Sequence, residues 1–420
     1  MQVDGGDSRR FAAKLTDRVR FVRVANGGPD HEDQTMPDGA RIMLLINPSR
    51  GYTRELLSGV AQYAHLQPSW TFYRPLEYRD KVGRSIIHIL RKLKPDGIFM
   101  REPPEFDRII DMGVPIVCSA YTREAIPGVA NIVTNQEAIG RIAAEHLLAQ
   151  GFRHFAYCTF DNWWWSRRRR DSFSRRVAEA GFELYDYEVP TVKEQRFWDK
   201  ELPHIAAWLR SLPKPVGVMG CNDDRGALII DACKSVGLKV PDEVAVVGVD
   251  NDALICDLCS PPLSSVAMSL RRTGYEAAAL LDRMIQGKET GRPTLHVQPT
   301  HVVARPSTDM LAVDDPAIAA ALRFIRRNVQ RDIAVQEVAD QAGLSRRLME
   351  RRFRHVVGHS IHREIQRVRA DLVMRMLLET HMSISNIAEI MHFPDVAHLA
   401  RFFRKEKGSS PSQYRRDHAV

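Results

Sequence analysis

Polar side chains of three kinds gather where short aliphatic runs of this chain end. Asn47, Ser49 and Tyr52 follow RIMLLI (41–46), Asn222 and Asp223 come just after VGVMG (216–220), and Asp250 and Asn251 end VAVVGV (244–249). Arg169 sits four residues before Phe173 in an RRRRDSF run, and Trp163, Trp164, Trp165 and Trp198 lie on stretches between the runs. Planar acceptors and donors of this sort engage neighbouring hydroxyls of a polyol in pairs, while an aromatic face covers the C–H side of the ring. A second collection is cationic: Arg346, Arg347, Arg351 and Arg354 recur near 350, and Arg401, Lys405 and Lys407 near 405. Such groups suit phosphates and base edges. No GxxxxGK, GxSxG or HExxH motif is present, so catalysis has no visible centre, and neither a cofactor nor a metal is expected.

The elements that must position these residues divide the chain. At 420 residues, a prior of about 150 residues per domain gives about three domains. The longest uninterrupted aliphatic run, at 42–46, is far short of the roughly 20 residues that span a bilayer, and the N-terminus lacks an apolar signal core, so a soluble, cytoplasmic protein is expected. Residues 1–40 read as a flexible tail, with a DNA-contacting arm or a start site upstream of Met36 as the other readings. From Arg41 to about Thr308, aliphatic strands at 41–46, 96–100, 115–119, 154–158, 216–220 and 244–249 alternate with amphipathic helices such as 52–65, 136–150 and 224–236. This alternation predicts two doubly wound parallel α/β sheets with a ligand crevice at the carboxyl ends of the strands. Chain crossings between the lobes are expected near 135–153, 250–262 and 281–305.

Residues 309–316 read as a linker, and 317–416 as an all-helical domain. Two segments of that domain share one pattern. Val338-Ala339, Gly343, Leu348-Met349 and Phe353 mark a helix, a turn and a second helix, and Ile387-Ala388, Phe393, Leu399 and Phe403 repeat them. The two alanines are 49 residues apart, an internal duplication. A joining helix of about 18 residues spans about 27 Å, enough with its turns to place two recognition helices near one DNA turn apart. The charge fits: residues 313–420 carry 19 Lys/Arg against 13 Asp/Glu, three quarters of the net +8 of the chain. Charge alone would equally suit a solvated surface.

The run FPDVAHLARFFRKEKGSSPSQYRR (393–416), preceded by ISNIAEI, resembles the AraC/XylS family of transcriptional regulators. That resemblance implies DNA-facing positions Arg346, Arg347, Glu350 and Arg351 in the first unit, and Val396, Ala397, His398 and Arg401 in the second. His392 stands where the family usually has Gly, which predicts a strained or differently shaped turn. KPDGIFM (94–100), TNQEAIGRIAAEHLLAQGFRHFAYC (134–158), CNDDRGALII (221–230) and VPDEVAVVGVDNDAL (240–254) resemble the LacI/GalR-type sensor, itself similar to periplasmic sugar-binding proteins. The family usually has Asp at Asn135. By that match, Asn47, Tyr52, Trp165, Arg169, Trp198, Asn222, Asp223, Asp250 and Asn251 would bind the ligand.

Bland readings stand beside these. Asp250 also reads as a helix cap and Trp198 as lobe packing, and three consecutive tryptophans cannot all face one pocket. The CxxC of Cys256 and Cys259 lacks a second ligand pair and reads as packing. The two resemblances together imply a DNA-binding regulator, an activator and homodimer, that binds operator DNA, a small sugar effector such as D-xylose or a related pentose, and RNA polymerase. A purine or a phosphorylated sugar is the alternative effector, and a sugar-binding protein without DNA regulation the distant alternative.

Overall fold

The computed structural model describes residues 39–66, 70–75, 85–103, 105–159, 163–190, 198–309, 315–380 and 382–418. All but the last two residues of the expected tail at 1–40 and most of the expected linker lie outside them, as does the side chain of Trp198; Ala40 already opens a strand. Among the described residues, no helix is long and apolar enough to cross a membrane.

The first lobe is built from β1 (Ala40–Leu45), α1 (Gly51–Leu66), β2 (Trp70–Tyr73), α2 (Ile86–Leu93), β3 (Gly97–Met100), α3 (Phe106–Ile110), β4 (Ile116–Ser119) and β5 (Ala130–Thr134). The chain then crosses through α4 (Gln136–Ala149) into the second lobe. There it forms β6 (His154–Cys158), α5 (Trp164–Glu179), β7 (Leu184–Asp186), α6 (Trp198–Ser211), β8 (Val216–Gly220), α7 (Asp223–Ser235), β9 (Val244–Val249), α8 (Ala253–Leu258) and β10 (Ser264–Met268). It returns to the first lobe as α9 (Leu270–Ile285) and β11 (Thr294–Val297), and crosses back as β12 (Pro299–Val303). The sheet orders are β11-β5-β4-β3-β1-β2 and β12-β10-β9-β8-β6-β7, parallel throughout except where β12 runs against β10. Every residue of β3, β4, β8 and β9 is buried, because helices cover both sheet faces; this is why these strands read as continuous aliphatic runs.

Glycine sets one helix crossing. A Cβ on Gly59 of α1 would stand 1.8 Å from the Arg271 carbonyl of α9, so the two helices meet backbone to backbone.

The second expected crossing, at 250–262, is wrong. β9 and β10 are paired neighbours in one sheet, so that stretch stays in the second lobe. The actual crossings are at Asn135, at Ser269 between β10 and α9, and at Gln298 between β11 and β12. They are tied to one another: Asn135 Nδ2 donates to Gln298 Oε1 (2.9 Å), and Ser269 and Gln298 exchange two bonds. Asn135 also caps α4 by accepting from Ala138 N.

A short 3₁₀ turn, Pro306–Thr308, packs on the second lobe and leads to seven helices: α10 (Pro316–Arg327), α11 (Val335–Gln341), α12 (Arg346–Val357), α13 (Ile361–Glu379), α14 (Ile384–Ile390), α15 (Val396–Lys407) and α16 (Pro411–His418). They form two cores. One joins Ile318, Leu322, Ala339, Met349 and Phe353 to the start of α13; the other joins Val373 and Leu377 at its end to Ile387, Ala388, Leu399 and Phe403. At 19 residues, α13 is about 28 Å long.

Candidate functional site

The crevice between the lobes is lined from the carboxyl ends of the strands, as the open α/β rule requires. From the second lobe, Arg169 on α5 is buried. Its Nε donates to Gln136 Oε1 (2.7 Å) and its Nη1 to the Cys221 carbonyl (2.6 Å), which aims Nη2 at Asp250 Oδ1, 3.9 Å away. The guanidinium also lies 4.9 Å from the Trp165 ring centroid. Asp250 follows β9 with φ +106°, a left-handed-side conformation unusual for Asp, and keeps 19% of its side chain exposed. Burial pushes its carboxyl pKa up, and the Arg169, Arg101 and Arg50 charges pull it back.

From the first lobe, Tyr52 on α1 is buried, its hydroxyl bonded to Thr134 Oγ1 (3.1 Å) and close to Ser119 Oγ (3.4 Å). Arg101 stands just past β3 with its guanidinium carbon 5.1 Å from the Tyr52 ring centroid and 4.6 Å from that of Tyr121. All three tryptophans meet Tyr121. Trp163 stacks on it at 4.9 Å, Trp165 lies at 6.0 Å, and Trp164 Nε1 donates to its carbonyl (2.8 Å). Tyr52, Arg101, Tyr121, Trp165, Arg169 and Asp250 thus form one continuous wall that passes from lobe to lobe.

Four other expected ligand residues, Asp223, Asn222, Asn251 and Asn47, already bond within the protein. Asp223 is buried, with Oδ1 accepting from Ser265 Oγ (2.5 Å) and Oδ2 from Asp252 N (2.7 Å). Burial and the neighbouring Asp250 charge raise its pKa well above the carboxylate range. Asn222 caps α7 through Arg225 N and donates to Asp224 Oδ2. Asn251 accepts from Arg305 Nη1, and the exposed Asn47 accepts from Ser49 N.

Asp252, absent from the expected set, links the lobes. Its Oδ2 accepts from Gly51 N (2.8 Å) and its Oδ1 from Arg54 Nη2 (2.5 Å), and Arg50 pairs with Asp224 beside it. Arg101, Tyr121 and Gln136 were also missed. The only signal in the sequence was their place just past a strand end: Arg101 after β3, Tyr121 after β4, Gln136 after β5.

The helical domain presents its two units outward. In the first, Arg347, Arg351 and Arg354 are exposed and make no ion pair among the described residues, while Arg346 Nε bonds Glu350 Oε1 (3.1 Å). In the second, Val396, Ala397, His398 and Arg401 are all exposed, and His398 Nδ1 is 2.9 Å from Asp395 Oδ2. His392 has φ +53° and Gly343 φ +66°, so both turns pass through a left-handed residue, and the strain expected at His392 is observed. The four-arginine run is no patch: Arg169 is buried and Arg170 bonds Asp186.

Sequence and structure comparisons agree with this division. A periplasmic binding protein-like domain model matches residues 144–308, and a helix-turn-helix domain model matches 338–417. The xylose operon regulatory protein of Escherichia coli K12 is 30% identical over 389 residues, 89% of this chain and 96% of that protein. That of Haemophilus influenzae is 29% identical over 386 residues, 89% of this chain and 98% of that protein. The solved structure of xylose-binding transcription activator XylR superposes with a TM-score of 0.56 at 28% identity, covering 91% of this chain and 99% of the other. With a sensor-type fold, a duplicated helix-turn-helix domain and a relative matched along nearly its whole length, this chain belongs to the xylose operon regulatory protein family of DNA-binding transcription regulators.

Proposed function

We propose that this chain is an activator of transcription controlled by D-xylose or a related pentose bound between its lobes. It works as a cytoplasmic homodimer that engages RNA polymerase, and it is not an enzyme. Residues 41–308 act as the sensor, 309–316 as the linker and 317–416 as the DNA-binding domain. The observation that carries the reading is the wall from Tyr52 to Asp250, which sets a buried Arg–Asp pair and aromatic faces into a crevice shared by both lobes. Arg169 and Asp250 would engage adjacent hydroxyls, and Trp165 with Tyr121 would cover the apolar ring face. Arg347, Arg351 and Arg401 would meet base edges or phosphates.

Ligand bridging the lobes favours the closed form by no more than its differential affinity for the two forms. The helical domain has neighbours in both lobes: Arg326, Arg367 and Arg375 stand close enough to His146 of α4 for their charges to act on it, and Arg272 of α9 donates to the Arg416 carbonyl of α16. A change in lobe angle therefore re-aims the recognition helices.

Thermal denaturation of the full-length chain with D-xylose tests the reading. At about 100 times its Kd, a ligand stabilises its domain by about 2.7 kcal/mol. Asp250→Ala should abolish that shift together with sugar-dependent DNA binding. Retention of both in the variant would refute the assignment.

A further inference from the structure

One carboxylate of the second lobe is spent on the first. Asp252, two residues past Asp250, is buried, and both of its oxygens bond across the crevice: Oδ2 accepts from Gly51 N (2.8 Å) and Oδ1 from Arg54 Nη2 (2.5 Å). The first turn of α1 carries no acidic residue of its own, so Asp252 supplies from the other lobe the negative charge that a helix N-terminus favours. Within its own lobe Asp252 is held in place. Its N donates to Asp223 Oδ2 (2.7 Å), and Asp223 Oδ1 accepts from Ser265 Oγ (2.5 Å). Gly51 leaves room for nothing larger: a Cβ there would lie 2.6 Å from Asp252 Cβ and 2.9 Å from its Cα. The lobes approach this closely only because that position lacks a side chain.

The contact adjoins the crevice wall in both lobes. Gly51 precedes Tyr52, and Asp252 follows Asp250 and Asn251, so in each lobe the bridging residue and a wall residue share one short stretch of backbone. Closure also brings the Arg50 and Arg101 charges of the first lobe to bear on Asp250. We propose that Asp252 is a latch, a positioning residue that holds the two halves of the crevice together and so sets the apparent affinity for the sugar. Its bonds belong to the protein, so they favour the closed form at every sugar concentration. A ligand that binds only that form is weakened in proportion as the latch is lost. Asp223, with one oxygen on the Asp252 amide, serves to aim the latch. This rests on the reading of the crevice as the sugar site, and adds what tunes that site.

The test is a double-mutant cycle read by titration calorimetry of the full-length chain with D-xylose. Asp252→Ala keeps the backbone bond to Asp223 and loses both bonds to the first lobe; it should weaken D-xylose binding about tenfold or more. Arg54→Ala should weaken it about threefold, and the double variant should fall well short of the product of the two, because the second change removes the partner of a carboxylate already gone. Gly51→Ala keeps every bonding group and adds only a wedge, and it should also weaken binding about tenfold. Small-angle X-ray scattering of the unliganded chains should give Asp252→Ala and Gly51→Ala a larger radius of gyration than wild type, and cooperative thermal unfolding shows that each variant folds. Single effects that multiply in full, or binding within about twofold of wild type in both Asp252→Ala and Gly51→Ala, would overturn the latch and leave the sugar reading standing. If D-xylose does not bind the wild type, the sugar reading falls and scattering alone decides: unchanged radii overturn the latch, enlarged ones support it.

Discussion

The two helix-turn-helix units have one backbone and two surfaces. In each, a residue with positive φ closes the turn, Gly343 in the first and His392 in the second. The next amide returns to the same helical carbonyl, Leu344 N to Ala339 O (3.1 Å) and Phe393 N to Ala388 O (2.8 Å). Each recognition helix is capped by a side chain that accepts from its third residue, Ser345 from Leu348 N and Asp395 from His398 N, and each ends at a left-handed glycine, Gly358 or Gly408. The alanines are 49 residues apart but the caps 50, so the second turn is one residue longer. Buried positions and hydrogen bonds set the shape, and the identity of the turn residue alters only its cost. The exposed positions are free to diverge: arginines and Glu350 in one, Val396, Ala397, His398 and a single Arg401 in the other.

The largest effect should come where the units are most alike. Phe353 and Phe403 are each fully buried in their own core, so Phe353→Ala and Phe403→Ala should each cost about 3–5 kcal/mol. Chemical denaturation of the full chain measures this, and a twofold or larger disparity would show that the cores are not equivalent. The next effect belongs to one unit alone. Glu364, buried at the start of α13, bonds His359 and Arg367. Burial pushes its pKa up, but those two partners outweigh it and hold the carboxyl down at about 2. The corresponding position of the second unit is Tyr414. Because the folded pKa lies below the unfolded one, the stabilisation is complete above about pH 4.5 and is lost as the pH falls toward 2, about 3 kcal/mol in all. Hydrogen exchange corrected for intrinsic rates should show α10–α12 losing protection before α14 and α15 over that window. Equal loss in both units would contradict it.

Much of this organisation could be read directly. Strands buried on both faces announce themselves as aliphatic runs, and β1, β3, β4, β6, β8 and β9 were all expected. The missed strands are edge or polar. β2, β7, β11 and β12 are edges, β5 is interior but buries Asn131, whose amide bonds Ile126 and Val129, and β10 opens with two serines buried for their hydrogen bonds rather than their bulk. The duplication of the helical domain was legible because it repeats small and apolar residues at fixed spacing. In the crevice, Arg169, Asp250, Trp165 and Tyr52 lie on motifs, whereas Asp252 and Arg101 matter through partners far along the chain. Gly51 and Asp252 are 201 residues apart, and no local pattern encodes that contact. Asp223 was expected from the same logic as Asp250; only the fold shows its two oxygens occupied by Ser265 and Asp252.

DNA binding should separate the two surfaces. Arg347→Ala and Arg351→Ala each remove an exposed guanidinium that makes no ion pair among the described residues, and each should weaken operator binding by about 1–3 kcal/mol. Val396→Ala removes only apolar surface and should cost less than about 1 kcal/mol. Fluorescence anisotropy at fixed salt ranks them. If Val396→Ala proves as costly as Arg351→Ala, the second unit reads sequence as strongly as the first.

The smallest effect tests the turn itself. His392 holds φ +53° with an exposed side chain that makes no hydrogen bond or ion pair among the described residues, so the imidazole returns nothing for the conformation it occupies. An L-residue there costs roughly 1 kcal/mol, offset in part because glycine has more freedom to lose on folding. His392→Gly should therefore stabilise the chain by about 0.5–1 kcal/mol. The reciprocal Gly343→His should destabilise it by a similar amount: φ is +66° there, and a Cβ would meet nothing within 4 Å, so backbone strain is the only cost. Because each turn already passes through a left-handed residue at this point, neither change should move operator affinity by more than about twofold. A destabilised His392→Gly would mean that the imidazole makes a favourable contact, and altered DNA binding with unchanged stability would mean that His392 itself reaches the DNA.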